Sequence, residues 1–531
     1  MKTRQTWAGK WIFCLLCLMT TSIYLSHAHS NSHLSTTLGI RDTRGGAVST
    51  VDDDVESCYQ YLAEFVMDKF PDVTTEKLTK TLSRMAAAQQ TFKGLDGAAH
   101  EAYQRTRGTG DEIDTSVSGR AQRSAARLAA TAEGLLACEL VEMVENPDLV
   151  NEESLVGREV LLNLTTTESN IELGNSKLSV LLLYEPSYDG GVGLDHGTIL
   201  SLADGSKGRK PKGRLLVVLG DAVSDDLVEV LTILNQKPKR IKLSSGLVTD
   251  EVASVHASLY KASGDLLCEL EPHFRQYNTT AVHFVGRSLA GGVASLAATM
   301  LDGSIPLPKA KNDKKKMKKK EKKPGNLDLL DESTAEPRED GNATFLSSPD
   351  DTLPLSGFGR ARSSAMTLGA PPCLSGNVLA AFCTSFLYGD DVVVRATSDS
   401  IGRLYDRIQR NVKGGFVGRN IGWMSDTLSL TVSSLQSHAH GSEGEEANLA
   451  VPGRAFLVRP RRLGGLCSIH EVGTLNKGGR EALRANLLWQ LHDVLLSKSM
   501  WKHHKLESYI HGLDRVQLRG MAEEAEEEAM Y

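Results

Sequence analysis

The residues best suited to chemistry lie in the stretch Ala281-Val282-His283-Phe284-Val285-Gly286-Arg287-Ser288-Leu289-Ala290-Gly291-Gly292. An apolar run leads into Gly-x-Ser-x-Ala, and the small-residue segment Val293-Ala294-Ser295-Leu296-Ala297-Ala298 follows. This is the local pattern of a nucleophile elbow, a strained strand-to-helix turn that exposes a serine hydroxyl at the end of a sheet. The residues two before and two after the serine must be tiny, because strand and helix backbones meet there. Gly286 meets the first requirement, and Ala290 meets the second with one extra methyl. A helix starting at Ser288 aims backbone N–H groups at any anion forming on that side, so the Leu289 N–H is the expected oxyanion donor. A serine nucleophile also needs a base and a group that orients the base. On such an elbow, the acid and then the histidine follow the serine in the chain. Asp390 and Asp391 flank a short apolar run, and His503, His504 and His511 lie near the C-terminus. Spacing alone leaves open which acid and which imidazole would serve.

Elements to hold such a serine are legible on both sides of it. The short apolar runs Leu178–Tyr184, Leu215–Leu219, Ala281–Val285, Ala365–Leu368 and Asp391–Val394 alternate with helical stretches such as Glu251–Phe274 and Leu289–Leu301. Continuous Val/Ile/Leu strands alternating with helices imply a sheet covered on both faces, hence an α/β class. From Ser57 to about Asn146 helical patterning dominates, and Ala121–Glu145 carries apolar residues at i, i+3 and i+4. Residues 57–150 contain no motif with chemistry of its own and are expected to form a helical cap or packing element. Residues 29–56 are Ser/Thr/Gly-rich and read as a flexible lead-in.

A polar insertion interrupts the α/β pattern at about 303–360. Lys309 to Lys323 holds ten lysines against Asp313 and Glu321, and Asp328 to Asp340 is acidic. So polar a chain cannot bury enough surface to offset its ordering entropy, so the segment is expected to be a disordered loop with a solvated charge run. Its functional alternative is a polybasic patch on anionic lipid, at about 1 kcal/mol per lysine. Residues 516–531, with the Glu523–Glu528 run, read as an acidic tail.

Composition removes several classes. A chain of 531 residues suits two folded regions plus tails. With 40% apolar and 24% charged residues it can bury a substantial core. Sixty Lys+Arg against 66 Asp+Glu give a net charge of −6, which offers no basis for a nucleic-acid partner. Lys2, Arg4 and Lys10 precede an apolar run from Trp11 to Met19, and Ser26-His27-Ala28 follows, the pattern of a secretory signal over 1–28. The run is shorter than the roughly 20 residues that span a bilayer, so cleavage near Ala28 is expected, with a retained tilted anchor as the alternative. Sequons at Asn163, Asn278 and Asn342 suit a luminal route, to the endoplasmic reticulum lumen or to secretion. Cys58, Cys138, Cys268, Cys373, Cys383 and Cys467 show no CxxC spacing, which disfavours zinc.

Taken together, these segments resemble the class 3 (fungal-type) lipases, and within them the diacylglycerol-lipase-like branch. Val255-His256-Ala257-Ser258-Leu259-Tyr260-Lys261-Ala262 is similar to the family's V-H-x-G-x-x-x-A helix, and Gly286–Gly292 to its G-H-S-L-G-G, with Arg287 for His and Ala290 for Gly. Thr367-Leu368-Gly369-Ala370-Pro371-Pro372-Cys373-Leu374-Ser375 resembles the x-P-P-C-x-S turn, and Asp390–Arg395 the D-x-V-P-R segment. Val451–Phe456 resembles a P-P-G-x-x strand start, and His504–His511 the H-x-L-E-x-Y-L-H segment. The resemblance spans roughly 177–515 and implies an α/β-hydrolase fold with a mainly parallel central sheet. It implies a triad of Ser288, Asp391 and His504, with Asp390, His503 and His511 as the alternatives, and it requires neither metal nor organic cofactor. The second oxyanion donor falls on Asp221, where the family's R-G-T-x-x-x-x-D block has Thr. The implied activity is hydrolysis of acylglycerols such as diacylglycerol at a membrane or lipid-droplet surface. Two other readings stand beside it: a catalytically silent relative that binds lipid, and a protein-binding scaffold using the Lys-rich loop.

Overall fold

Strands rich in Val, Ile and Leu at both odd and even positions must be covered on both sides, and this chain covers them with helices. A computed structural model describes residues 53–89, 117–146, 155–186, 213–243, 252–277, 281–308, 363–413, 449–460, 467–472 and 491–530, apart from a few single residues and pairs within these stretches. All of them belong to one unit, Asp53–Tyr531. The signal, residues 29–52 of the lead-in, the sequons at Asn278 and Asn342 and the Lys-rich run lie outside the described residues. The last four residues of the lead-in, expected to be flexible, are instead the first turn of a helix that starts at Asp53.

The main sheet has the order β1 (Glu159–Leu164), β3 (Ser176–Glu185), β4 (Arg214–Asp221), β7 (Ala281–Arg287), β8 (Ser363–Leu368), β10 (Cys383–Tyr388), β12 (Arg454–Pro460), β13 (Cys467–Val472), with the short β2 (Glu172–Leu173) paired to β3. From β4 to β12 every pairing is parallel, and both margins of the sheet are antiparallel. Successive side chains on a strand point to opposite faces. In β4, Leu215, Val217 and Leu219 enter one core while Leu216 and Val218 enter the other.

The first core is roofed by α1 (Asp53–Met67), a helical stretch over 75–87, α3 (Leu227–Leu234), α4 (Ala257–Gln276), α5 (Ser288–Leu301) and α6 (Ser398–Lys413). The second is covered by α2 (Val117–Glu145) and α7 (Leu506–Met530), whose Ala137, Leu140, Val141, Tyr509 and Leu513 pack under the sheet. The region expected as a helical cap is therefore split, with α1 and α2 serving different cores. A smaller antiparallel sheet, β11 (Leu449–Ala450), β9 (Leu374–Ser375), β6 (Val252–Val255) and β5 (Lys239–Lys242), sits beside the main one.

Several expectations change. The helix expected over Glu251–Phe274 starts only at Ala257, because Val252–Val255 pairs with β5 and β9 and His256 caps the helix. The apolar run Asp391–Val394 is no strand. It turns into a 3₁₀ segment, Val393–Arg395, and the strand of that region is Cys383–Tyr388 just before it. The polar insertion begins later than 303, since Ile305 is buried and the Tyr260 hydroxyl donates to the Pro306 carbonyl at 2.7 Å. The acidic tail is helical through Met530, with Val516 still buried. No helix among the described residues is long and apolar enough to cross a membrane.

Candidate active site

The serine sits where its surroundings compel an unusual backbone. Ser288 is the first residue of α5, directly after β7, and has φ +55°, the one positive φ at a non-glycine position among the described residues. Strain of this kind persists only when the surroundings over-determine it. A Cβ on Gly286 would lie 2.8 Å from the Ala290 carbonyl oxygen, and one on Gly291 would lie 2.9 Å from the Gly286 oxygen. The pinch thus falls on Gly286 and Gly291, which leaves room for the Ala290 methyl. Every residue of α5 is buried, and its small side chains let α4 approach closely enough for the Ser263 hydroxyl to reach the Val293 carbonyl at 3.0 Å.

Three distant segments meet at Ser288. Its Oγ lies 3.0 Å from His504 Nε2, and His504 Nδ1 lies 3.0 and 3.1 Å from the two oxygens of Asp391. A carboxylate can only accept, so Nδ1 carries the proton and Nε2 is left to receive one from the serine. Asp391 follows the end of β10 and accepts the Val393 N–H at 2.8 Å and the Tyr509 hydroxyl at 2.6 Å. Tyr509, on α7, also accepts the Tyr388 N–H at 3.2 Å. Gly369, at φ +61°, leaves room for this contact, since a Cβ there would come within 2.8 Å of the Tyr509 oxygen. The Tyr509 hydroxyl is held well above its ordinary pKa by burial first and by Asp391 second, so it stays a donor. Trp501 stacks on the His504 ring at 5.2 Å. Ser288, Asp391 and His504 are all fully buried.

The alternatives lie elsewhere. His503 accepts the Asp390 N–H at 2.9 Å through Nδ1 and packs edge-on against Tyr388, bracing the turn that presents Asp391. His511 is exposed on α7. Asp390 is buried beside Arg395, whose guanidinium donates to the Asp391 and Gly389 carbonyls at 2.7 and 3.1 Å.

Asp221 ends β4, and its side chain points at the elbow. Its Oδ2 accepts the Ala290 N–H at 2.9 Å, which places a carboxylate at the N-terminus of α5. Asp226, the acidic end of the same block, caps α3 by accepting the Val228 and Glu229 N–H groups. Arg287, which replaces the expected His, is buried; it donates to Glu145 at 2.8 Å and to the His504 carbonyl at 3.3 Å. Burial lifts the Glu145 carboxyl above its ordinary range against the pull of Arg287. Burial also opposes the charge on Arg287, but Glu145, Asp221 and Asp225 outweigh it and hold the guanidinium protonated. Glu145 had no motif of its own to single it out, and Tyr509 stood in the His504–His511 motif without a role. Both lie on helices whose apolar faces were legible, and only the fold shows what their polar residues touch. Beside this cluster opens a cavity of about 660 Å³ lined by residues including Glu145, Asn163, Thr165, Asp221, Arg287 and Lys505. Ser288 and His504 do not line it, so it flanks the triad rather than containing it.

Neither a protein-family model nor a curated protein matches the sequence. Among solved structures, the Rhizomucor miehei lipase propeptide complex is similar at 12% identity and a TM-score of 0.28, over 50% of this chain and 61% of that one. The match therefore spans less than two thirds of that lipase's length. Lipase II from Rhizopus niveus is similar at 12% identity and 0.28, over 51% and 74%. A triacylglycerol lipase from Penicillium expansum is similar at 10% identity and 0.30, over 65% and 84%. Likenesses this faint carry no functional weight, and the chemistry must be read from the site itself.

Proposed function

We propose that the chain is a serine-dependent carboxylic-ester hydrolase of the α/β-hydrolase type, acting on acylglycerols such as diacylglycerol or related glycerolipids. The observation that carries the reading is the unbroken run of hydrogen bonds from the Ser288 hydroxyl through His504 to Asp391, set on a positive-φ turn at a helix N-terminus. In the mechanism, Ser288 Oγ attacks the ester carbonyl while His504 Nε2 takes its proton. His504 then returns the proton to the leaving alcohol, and water hydrolyses the acyl-enzyme by the same route. Asp391 holds the imidazole tautomer and stabilises its charge, and Tyr509 and the Val393 N–H hold Asp391. The Leu289 N–H, at the start of α5, is the oxyanion donor of this scheme. The resemblance in sequence motifs supplies the glycerolipid class. The N-terminal pattern supplies a secretory-pathway setting, cleaved or anchored, and the Lys309–Lys323 run supplies contact with a membrane or droplet surface.

The test is fatty-acid release from a panel of neutral and polar glycerolipids by wild-type protein and Ser288→Ala. We expect the variant to keep the wild-type melting temperature and lose activity to a small residual. Wild-type rates in a folded Ser288→Ala would overturn the assignment. A second reading, a lipid-binding protein without catalysis, is favoured by the Asp221 carboxylate on the Ala290 N–H. A fluorophosphonate probe separates the two, since stoichiometric labelling of Ser288 supports the enzyme and a folded, unlabelled protein supports the silent form.

A further inference from the structure

Two departures from the lipase-like pattern line the same cavity, Asp221 on β4 and Arg287 on β7; Arg287 reaches the His504 carbonyl, and Asp221 reaches the Ala290 N–H just after the serine. Arg287 is 2% exposed. One arm reaches Glu145 at the C-terminal end of α2, and another donates to the His504 carbonyl. Asp221 and Asp225 also act on its charge. An arginine can hold several acceptors at once because its donors form a rigid planar fork, which a lysine lacks.

We propose that Arg287 is a positioning residue for the imidazole: it anchors the His504 backbone to α2 and offsets the Asp221 charge beside the nucleophile. This rests on the proposed hydrolase reading for its kinetic consequence but not for its electrostatic one. The His504 ring meets Asp391, which Tyr509 holds, and Ser288 Oγ, with Trp501 stacked over it. Arg287 meets the His504 carbonyl, Glu145, Asp221 and Asp225 act on that guanidinium, and Asp225, paired with Lys505, acts on His504 as well. Removing the guanidinium takes its positive charge from Glu145 and Asp221, while Asp225 keeps its pair with Lys505 at 2.6 Å, and the lost positive charge favours the charged imidazolium. Removing its fork frees the His504 main chain, and misplacement on the order of 1 Å costs about 100-fold in rate.

The experiment compares wild type, Arg287→Gln, Arg287→Lys and Glu145→Gln by two readouts, the His504 ring titration by NMR and the kinetics of ester hydrolysis against pH. For Arg287→Gln we expect the His504 titration and the acid limb of kcat/KM to move to higher pH. We expect kcat to fall about 10- to 100-fold with KM little changed. Arg287→Lys keeps the charge and should restore the titration while leaving kcat low. Glu145→Gln, which keeps the fork's anchor as a neutral acceptor, should move the titration the opposite way and covers the case in which Arg287→Gln fails to fold. An unmoved His504 titration in folded Arg287→Gln overturns the electrostatic half, and an unmoved kcat overturns the positioning half. If wild type hydrolyses no ester, the hydrolase reading fails, and the His504 titration still decides the charge relation.

Discussion

At the residue scale, Asp221 places a negative charge on the side of Ser288 where an oxyanion would gather. Its Oδ2 already accepts the Ala290 N–H, so it satisfies one of the orphan donors at the start of α5, and on the proposed mechanism it would oppose the negative charge formed there. Asparagine keeps a carbonyl acceptor in the same place and removes the charge. We expect Asp221→Asn to raise kcat about tenfold, given that one oxyanion donor is worth about 100-fold or more, with little change in thermal stability. A kcat that stays level or drops in stable Asp221→Asn protein would mean that the carboxylate does not hinder the reaction. Asp391 behaves differently, because His504, Tyr509 and the Val393 N–H all donate to it and its charge is fully engaged.

At the scale of elements, the elbow rests on a contact between backbones. A methyl on Gly286 meets the Ala290 carbonyl oxygen and carbon at 2.8 and 2.9 Å, and neither can rotate away. We expect Gly286→Ala to cost about 1–3 kcal/mol and to abolish fluorophosphonate labelling. Gly402→Ala, which meets nothing within 4 Å in the middle of α6, should gain about 0.5–1 kcal/mol. Equal melting temperatures for the two variants would refute this account of the turn. The same contrast shows what was legible beforehand. The β7–α5 junction carries its pattern in adjacent residues, so Gly286 and Ser288 stood out in the sequence. The pairing of Val252–Val255 depends on β5 and β9, the latter more than 100 positions away, and the run therefore read as the first turn of a helix. Asp391–Val394 read as a strand because three valines have that propensity, whereas the Asp391 side chain accepts the Val393 N–H and turns the chain instead. Glu145 was illegible as part of a site because its partner, Arg287, is 142 residues away.

At the scale of the whole molecule, two buried histidines outside the proposed triad, His256 and His283, set a limit on the acid side. Burial pushes His256 down to about 4 and His283 down to about 3, so both are neutral in the folded chain near pH 6. In the unfolded chain a histidine takes up its proton near pH 6.5. Each therefore contributes stability that is complete above about 6.5 and is lost as pH falls toward those lower values, because the unfolded state binds more protons in that window. By pH 5 the loss is about 2 kcal/mol for each. Urea midpoints measured from pH 7 to 5 should fall, and His256→Gln should make the fall shallower; an unchanged slope would remove His256 from the account. The three residues of the proposed triad also enter the chain far apart, at 288, 391 and 504, and the last arrives on the segment that leads into α7. During synthesis, hydroxyl and carboxylate emerge from the ribosome well before the imidazole does. On the proposed reading, a half-made chain is harmless to the lipids around it, and esterase competence switches on only when the final helix docks beneath the sheet.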